Sequence, residues 1–404
     1  MSMLRDRRLA ALLAAEVISS LGTQMTWVAL PWFVLRTTGS AERMTWVMNA
    51  EIVPIAVLGF WGGAIASRLG TRRTMLICDF ARAPLFALIP ALHEAGLLPF
   101  WVLIALVAAS GAFIAPYLGV QRSVLPELVG EDQEEVSSAN ALLQAANRMT
   151  IFLGPPIAGV LIAVTSAPNV LFIDAATYVA SFVLIGLFVH PPEVPAPEDQ
   201  RGALEGARFV MRDKLLRIWQ PAFTLLDSCW NLFFASLPVL VFREYDANPH
   251  IVGWLFGALG GGALVGAMVA LKAVRRLDAF TLFPIAFLCQ IASMWGVISP
   301  GPWLVPVIAM AATGFFMSLV NAPLQTLVML RVPRHLRTQT LAFSAVLNRT
   351  ASPLGLVAAG WALSHYAVRH VIAVVLTLQT VAILTLVLTA FAERAVLRAV
   401  DSPA

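Results

Sequence analysis

The stretches ANRMTIFLGPP, residues 146–156, and LNRTASPLGL, residues 347–356, each set an Asn-Arg pair into apolar sequence and follow it with Gly and Pro. A guanidinium in an apolar segment is expensive. Meeting one twice in the same company points to a duplicated unit. Around these stretches the chain is overwhelmingly apolar: 59% of its 404 residues are hydrophobic and 12% charged, and the mean hydropathy is +0.80. Soluble domains are usually about one-quarter charged. Apolar runs of roughly 20 residues match the thickness of a bilayer core, whereas a barrel would show short alternating segments. The composition therefore predicts an all-α, polytopic membrane protein. Twelve spans are expected, near 9–36, 44–66, 73–93, 98–122, 138–164 and 169–190, then 218–241, 250–272, 279–299, 302–329, 338–364 and 369–392. Spans four, five, ten and eleven carry internal Pro and Gly, which membrane helices tolerate.

The duplication extends well beyond the Asn-Arg pairs. WVALPWFVLR resembles FFASLPVLVFR, with Pro31 and Pro238 207 residues apart. APYLGVQRSVLPEL resembles APLQTLVMLRVPRHL, with Pro116 to Pro323 and Pro126 to Pro333 again at 207. Gly63 and Gly266 are 203 apart, and Arg148 and Arg349 are 201 apart, the loop GEDQEE accounting for the shortfall. Four blocks in one order predict two parallel six-span bundles, 1–190 and 218–404. The Pro-rich, charged segment 191–217 reads as a linker between them, with a short amphipathic helix over 202–216.

Basic residues set the orientation, because Lys and Arg favour the cytoplasmic side. With both termini inside, 20 basic residues fall on the inner side and only Arg36, Arg43, Arg243 and Arg369 on the outer. The same asymmetry accounts for the pI of 9.3 without any nucleic-acid surface. The basic start MSMLRDRRLA leads into a segment too long for a cleavable signal, so span one is read as its own insertion signal. Cys78, Cys229 and Cys289 fall within spans at no metal-ligand spacing and read as small packing residues. Trp101 and Trp303 read as belt anchors at the interface. With no phosphate-binding loop, no nucleophile-base order and no metal cluster, the sequence predicts neither an enzyme nor a bound cofactor or metal.

Six plus six spans around a linker resemble the major facilitator superfamily. The loop motif of that family appears as Gly63-Ala64-Ile65-Ala66-Ser67-Arg68-Leu69-Gly70-Thr71-Arg72-Arg73. It departs from the family pattern only at Ser67, where an acid is usual. The resemblance implies that this loop locks the outward-open state, and Ser67 implies a weaker lock. GPPIAG, with Gly154, Pro155 and Gly159, is similar to the span-five bend of proton-driven exporters. SSLGTQMTWVALPWFVLRTTGSA and ICDFARAPLFALIPAL resemble the enterobactin and macrolide exporter group of proton-driven drug antiporters. That group often carries Asp where Thr23-Gln24 stand, and many proton antiporters carry an Arg in span four that is absent here. The resemblance implies a multidrug-type efflux transporter in the cell membrane, taking a small molecule and protons, surrounded by lipid and functional as a monomer. An importer of a small nutrient and a lipid flippase are the alternatives in the same fold. It further implies that spans one, four, seven and ten line a central cavity and that three, six, nine and twelve support it.

Intramembrane ionisable groups are functional candidates by default. Glu16 and Asp227 lie on cavity spans with no basic residue at helical spacing in their own spans, and Glu51 lies in span two. A carboxylate in such a place can exchange a proton or attract a cationic substrate. Arg148 and Arg349 are candidates for an inner gate or for an anionic substrate, and Asn231 and Asn321 for added hydrogen bonds. Trp27 and Trp230 are positioned to pack or to stack on an aromatic compound. Asp79 and Arg82, three residues apart on one helical face, read as a structural ion pair. Asp174 reads as structural, near the outer edge of a supporting helix.

Overall fold

The computed structural model describes residues 6–121, 124–129, 133–190, 203–276, 278–333 and 336–392. The chain divides into two compact units, Met1–Pro197 and Glu198–Ala404. In the first, the helices are α1 (Arg7–Thr38), α2 (Ala41–Leu69), α3 (Thr71–Glu94), α4 (Phe100–Val120), α5 (Val124–Val129), α6 (Gln133–Val164) and α7 (Ala167–Phe188). In the second they are α8 (Ala203–Arg212), α9 (Lys214–Glu244), α10 (Pro249–Arg276), α11 (Ala279–Trp295), α12 (Leu304–Arg331), α13 (Arg337–His365) and α14 (Val368–Ala392). Leaving aside the short α5 and α8, each unit holds six long helices. Ten of the twelve are long and apolar enough to cross a bilayer. The other two, α2 and α13, match them in length at 29 residues each. Large apolar side chains such as Phe80, Val164, Leu271 and Leu354 are exposed, as expected of a surface that faces lipid.

Local chemistry sets the helix ends. Asp6 caps α1 by accepting from the Arg8 amide at 2.8 Å, and Gly39 closes it in the left-handed conformation. Ser166 caps α7, with Pro in its first turn. The amphipathic helix in the 191–217 segment is shorter than expected. It stops at Arg212 because Asp213 accepts from the Leu215 and Leu216 amides, both at 3.0 Å, and so starts α9. Asp213 also pairs with Arg331 of α12 at 2.8 Å. Phe209 and Val210 of α8 join Leu216, Val328, Val332 and Phe343 in an apolar cluster. The stretch from Ala203 onward thus packs within the second unit.

The two units pack by one scheme. In the first, α1 lies on α6 and α7, α2 on α4, and α3 on α4 and α7. In the second, α9 lies on α13 and α14, α10 on α12, and α11 on α12 and α14. Pro31 and Pro238 fall inside α1 and α9, and Pro116 and Pro323 inside α4 and α12. Close backbone approaches recur in register as well. A Cβ on Gly111 of α4 would lie 2.3 Å from the Glu51 carbonyl oxygen on α2, and one on Gly314 of α12 would lie 1.9 Å from the Leu259 carbonyl oxygen on α10. In membranes, where lipid is as apolar as leucine, such small-residue contact is a main source of helix association.

This seam makes a stability prediction. Gly314→Ala must push α10 and α12 apart, an overpacking worth about 1–3 kcal/mol. Its thermal midpoint in detergent is expected to fall. Gly261→Ala on α10, which would meet nothing within 4 Å, is expected to keep the wild-type midpoint.

Candidate functional site

The first unit carries a chain of buried polar groups. On α1 they recur at helical spacing: Glu16, Ser20, Thr23 and Thr26. Glu16 is 2% exposed. Its carboxylate accepts from the Tyr117 hydroxyl at 2.8 Å and from the Gln121 amide at 2.6 Å. Ser20 meets Thr150 of α6 at 2.7 Å, and Thr23 meets Tyr178 of α7 at 2.9 Å. Thr26 donates to Asp174 at 2.5 Å. A matching stripe runs down α7 as Asp174, Tyr178 and Ser181. Between the stripes sits Arg82 of α3, buried, with its guanidinium 4.1 Å above the Tyr178 ring and donating to the Tyr178 hydroxyl. Glu51, Asp79 and Asp174 all lie within its coulombic range.

Several expectations change here. Asp79 and Arg82 share a helix face but do not form an ion pair. Asp79 accepts from Ser181 at 2.6 Å, and Arg82 turns to Tyr178. Each instead takes a hydrogen-bond partner on α7, and the two interact only through their charges. Asp174, in the second turn of α7, is fully buried and tied into this network. Glu51 is buried too, beside a cavity of about 10 Å³ that it shares with Thr26 and Trp27, roughly the space of one water. The residues that sequence reasoning passed over, Tyr178, Tyr117, Gln121 and Ser181, had one readable signal. Asp174, Tyr178 and Ser181 are spaced i, i+4, i+7 on an otherwise apolar helix.

In the loop motif, Gly70 has φ 79° and permits the turn between α2 and α3. Arg72 donates to the Gly186 carbonyl at 2.6 Å and approaches His190 at 3.3 Å. A cation thus sits on the C-terminal turn of α7, where free carbonyls favour it. Arg73 is exposed. Gly63, Ser67 and Arg68 lie on α2, but the details of these positions fall outside the described residues, as do the side chains of Arg148 on α6 and Arg349 on α13. α6 runs as one helix through Pro155, Pro156 and Gly159. Gly154 explains the small residue there, since a Cβ on it would lie 2.3 Å from the Gln24 Cβ of α1. Gly355 of α13 faces Leu232 of α9 in the same way, at 2.8 Å.

The second unit carries a half-open cavity of about 430 Å³. Phe223, Trp230, Phe287, Met294 and Met317 give it apolar and aromatic walls, and Asp227, Gln290, Asn321, Ser344, Asn348 and Gln379 its polar points. Three of the expected residues, Asp227, Trp230 and Asn321, are brought together there. Asn231 is not among the lining residues; its amide donates to the Asp227 carbonyl at 2.8 Å. Asn348, from the second Asn-Arg pair, accepts from Thr224 at 2.9 Å and Gln220 at 3.2 Å. The cavity reaches α11 and α14, helices expected only to support.

The Arg82 network predicts a pH-dependent stability. Arg82→Met removes the guanidinium and leaves buried carboxylates without their shared cation, which costs about 3–5 kcal/mol. The loss of thermal midpoint is expected to be large at pH 8. It should shrink at pH 5, where protonation removes the uncompensated charge. An equal loss at both pH values would mean that packing, not charge, is what Arg82 supplies.

Comparison with known proteins agrees with this architecture. Residues 12–356 match the sequence profile of the Major Facilitator Superfamily. The chain is 28% identical over 370 residues to the multidrug efflux pump Tap of Mycolicibacterium fortuitum, covering 87% of this chain and 88% of that protein. It is 26% identical over 366 residues to Tap of Mycobacterium tuberculosis, covering 86% and 85%. Its fold is similar to that of the nucleoside transporter NupG, with a TM-score of 0.75 at 13% identity over 94% of this chain and 98% of that one. With two like-packed units of six long helices and a profile match over most of its length, the chain belongs to the Major Facilitator Superfamily.

Proposed function

We propose that the chain exports an amphipathic organic compound in exchange for protons, by alternating access, in the plasma membrane with both termini cytoplasmic. The observation that carries this reading is the charge count inside the first unit. Four buried carboxylates, Glu16, Glu51, Asp79 and Asp174, stand with one buried guanidinium, Arg82, among the described residues. An apolar interior does not hold that many uncompensated charges, so the cluster is suited to binding protons. Glu16 is the first choice for the coupling acid. Its partners among the described residues, Tyr117 and Gln121, are neutral donors. Glu51 is the second.

The cavity of the second unit supports the substrate side. Its volume lies in the range of small-molecule sites, roughly 300–1,000 Å³. Aromatic and methionine walls suit an adaptable apolar body, and Asp227 and the amides suit a polar end. The name of the similar Tap proteins, multidrug efflux pump, points the same way. Coupling then needs only that proton and substrate each bind the inward and outward states with different affinity.

The test is substrate-stimulated proton flux in liposomes carrying the purified chain, across a panel of amphipathic compounds. Wild type is expected to move protons against at least one compound. Glu16→Gln is expected to lose gradient-driven accumulation while still binding that compound. Wild-type rates in Glu16→Gln would shift the coupling site to Glu51. No proton movement with any compound would overturn the reading.

A further inference from the structure

We propose that Asn348 is a specificity-determining residue of the second unit, its side-chain NH2 held toward the 430 Å³ cavity as a hydrogen-bond donor for a neutral carbonyl oxygen on the substrate. The proposal deepens the export reading and rests on it for an organic substrate in that cavity. Asn348 lines the cavity from α13. Its side-chain oxygen accepts from the Thr224 hydroxyl at 2.9 Å and from the Gln220 amide at 3.2 Å. Gln220 is fixed in turn, because its own side-chain oxygen accepts from the Ser344 hydroxyl at 2.6 Å. Gln220 and Thr224 stand on α9 and are not among the lining residues. The oxygen of Asn348 is therefore drawn back between the two helices, and the nitrogen is the end left toward the cavity. That nitrogen has no hydrogen-bond partner among the described residues, and it is not one of the walled-in polar atoms. Asn348 as a whole is half-buried. A fixed donor on a largely apolar wall favours a ligand that brings an acceptor and disfavours one that does not.

The first unit closes the same helix pair without these bonds. At the 207-residue offset that relates α9 to α1, Leu13 and Val17 stand where the second unit has Gln220 and Thr224. At the 201-residue offset that relates α13 to α6, Leu143 stands where it has Ser344. Leu13 and Leu143 are buried in one apolar cluster. α1 packs on α6 as α9 packs on α13, so packing alone does not require the polar clamp. The clamp belongs to the copy whose Asn lines a cavity, and what it fixes there is the direction of an amide.

The rest of the wall selects the acceptor. Among the described lining residues there is no Lys, Arg or His, so a carboxylate or phosphate would enter with its charge unpaired, at high cost. An ammonium has no lone pair to offer an N–H. A hydrocarbon would displace solvent from the amide and return nothing. A ketone, ester, lactone or amide carbonyl meets the donor, while Phe223, Trp230 and Phe287 meet an apolar or aryl body.

The test compares two rigid probes of nearly equal body, 9-fluorenone, which carries a carbonyl, and fluorene, which does not. They are titrated into the purified full chain in dodecyl maltoside, a detergent without a carbonyl, and each affinity is referred to partition into empty micelles. Wild type is expected to bind fluorenone about fivefold more tightly than fluorene, the scale of one neutral hydrogen bond. The infrared carbonyl band of bound fluorenone is expected at lower wavenumber than in micelles, a shift that packing alone does not give. Asn348→Leu is expected to abolish both the preference and the band shift while fluorene binds as before. Thr224→Val, which leaves the amide in place but loosens its clamp, is expected to weaken the preference. Equal affinities in wild type, an unshifted band, binding of neither probe, or a preference that survives Asn348→Leu would overturn the proposal. The wild-type comparison and its band position decide the matter even where a variant fails to fold. Because binding is measured without a gradient, absence of the preference with intact proton-driven transport would sink this inference alone. A preserved preference with no proton flux would sink the export reading and leave the Asn348 donor standing.

Discussion

Arg82 is the group around which the first unit is arranged. It stays in an apolar interior only because Tyr178 covers its face and binds its edge, and because three carboxylates lie within its field. Each partner is in turn tied elsewhere: Tyr178 to Thr23, Asp174 to Thr26, Asp79 to Ser181. α1, α3 and α7 are therefore fixed to one another by directional bonds as well as by packing. In hydrocarbon this matters more than in water, since apolar contact between helices gains little over contact with lipid.

The second unit solves the same packing scheme differently. Its equivalents of α2 and α4 are joined by glycine contacts at three places, Gly262, Gly266 and Gly314, against backbone carbonyls. Its interior, among the described residues, lines a cavity of about 430 Å³. Duplication thus supplied one architecture with two interiors, one crowded with charge and one hollow and aromatic.

The sequence made the spans, the repeat and the family resemblance legible, because these depend on local hydropathy and on regular spacing. Twelve long helices fall where the apolar runs are. What it could not show is which distant side chains meet. Glu16 and Tyr117 are 101 residues apart, and Asp79 and Ser181 are 102 apart. Reading Asp79 with Arg82 from their i, i+3 spacing therefore named a neighbour that acts through its charge and missed the hydrogen-bond partners Ser181 and Tyr178. The cavity was half legible: Asp227, Trp230 and Asn321 stood out as polar or aromatic on cavity spans. Gln290 and Gln379 did not, because an amide in an apolar span carries no charge to draw notice. Asp213 was hidden by the charged segment around it, where a capping role cannot be told from a solvated acid.

The glycine seam between α10 and α12 has a consequence for how such a protein diversifies. Where two backbones touch, no side chain is present to be varied, and any enlargement separates the helices. That contact line is closed to gradual tuning. Changes to the cavity must fall away from the seam, on α9, α11, α13 and α14 and on the face of α12 that carries Met317 and Asn321. Over time the line of contact would stay fixed in sequence while the side chains around it drift.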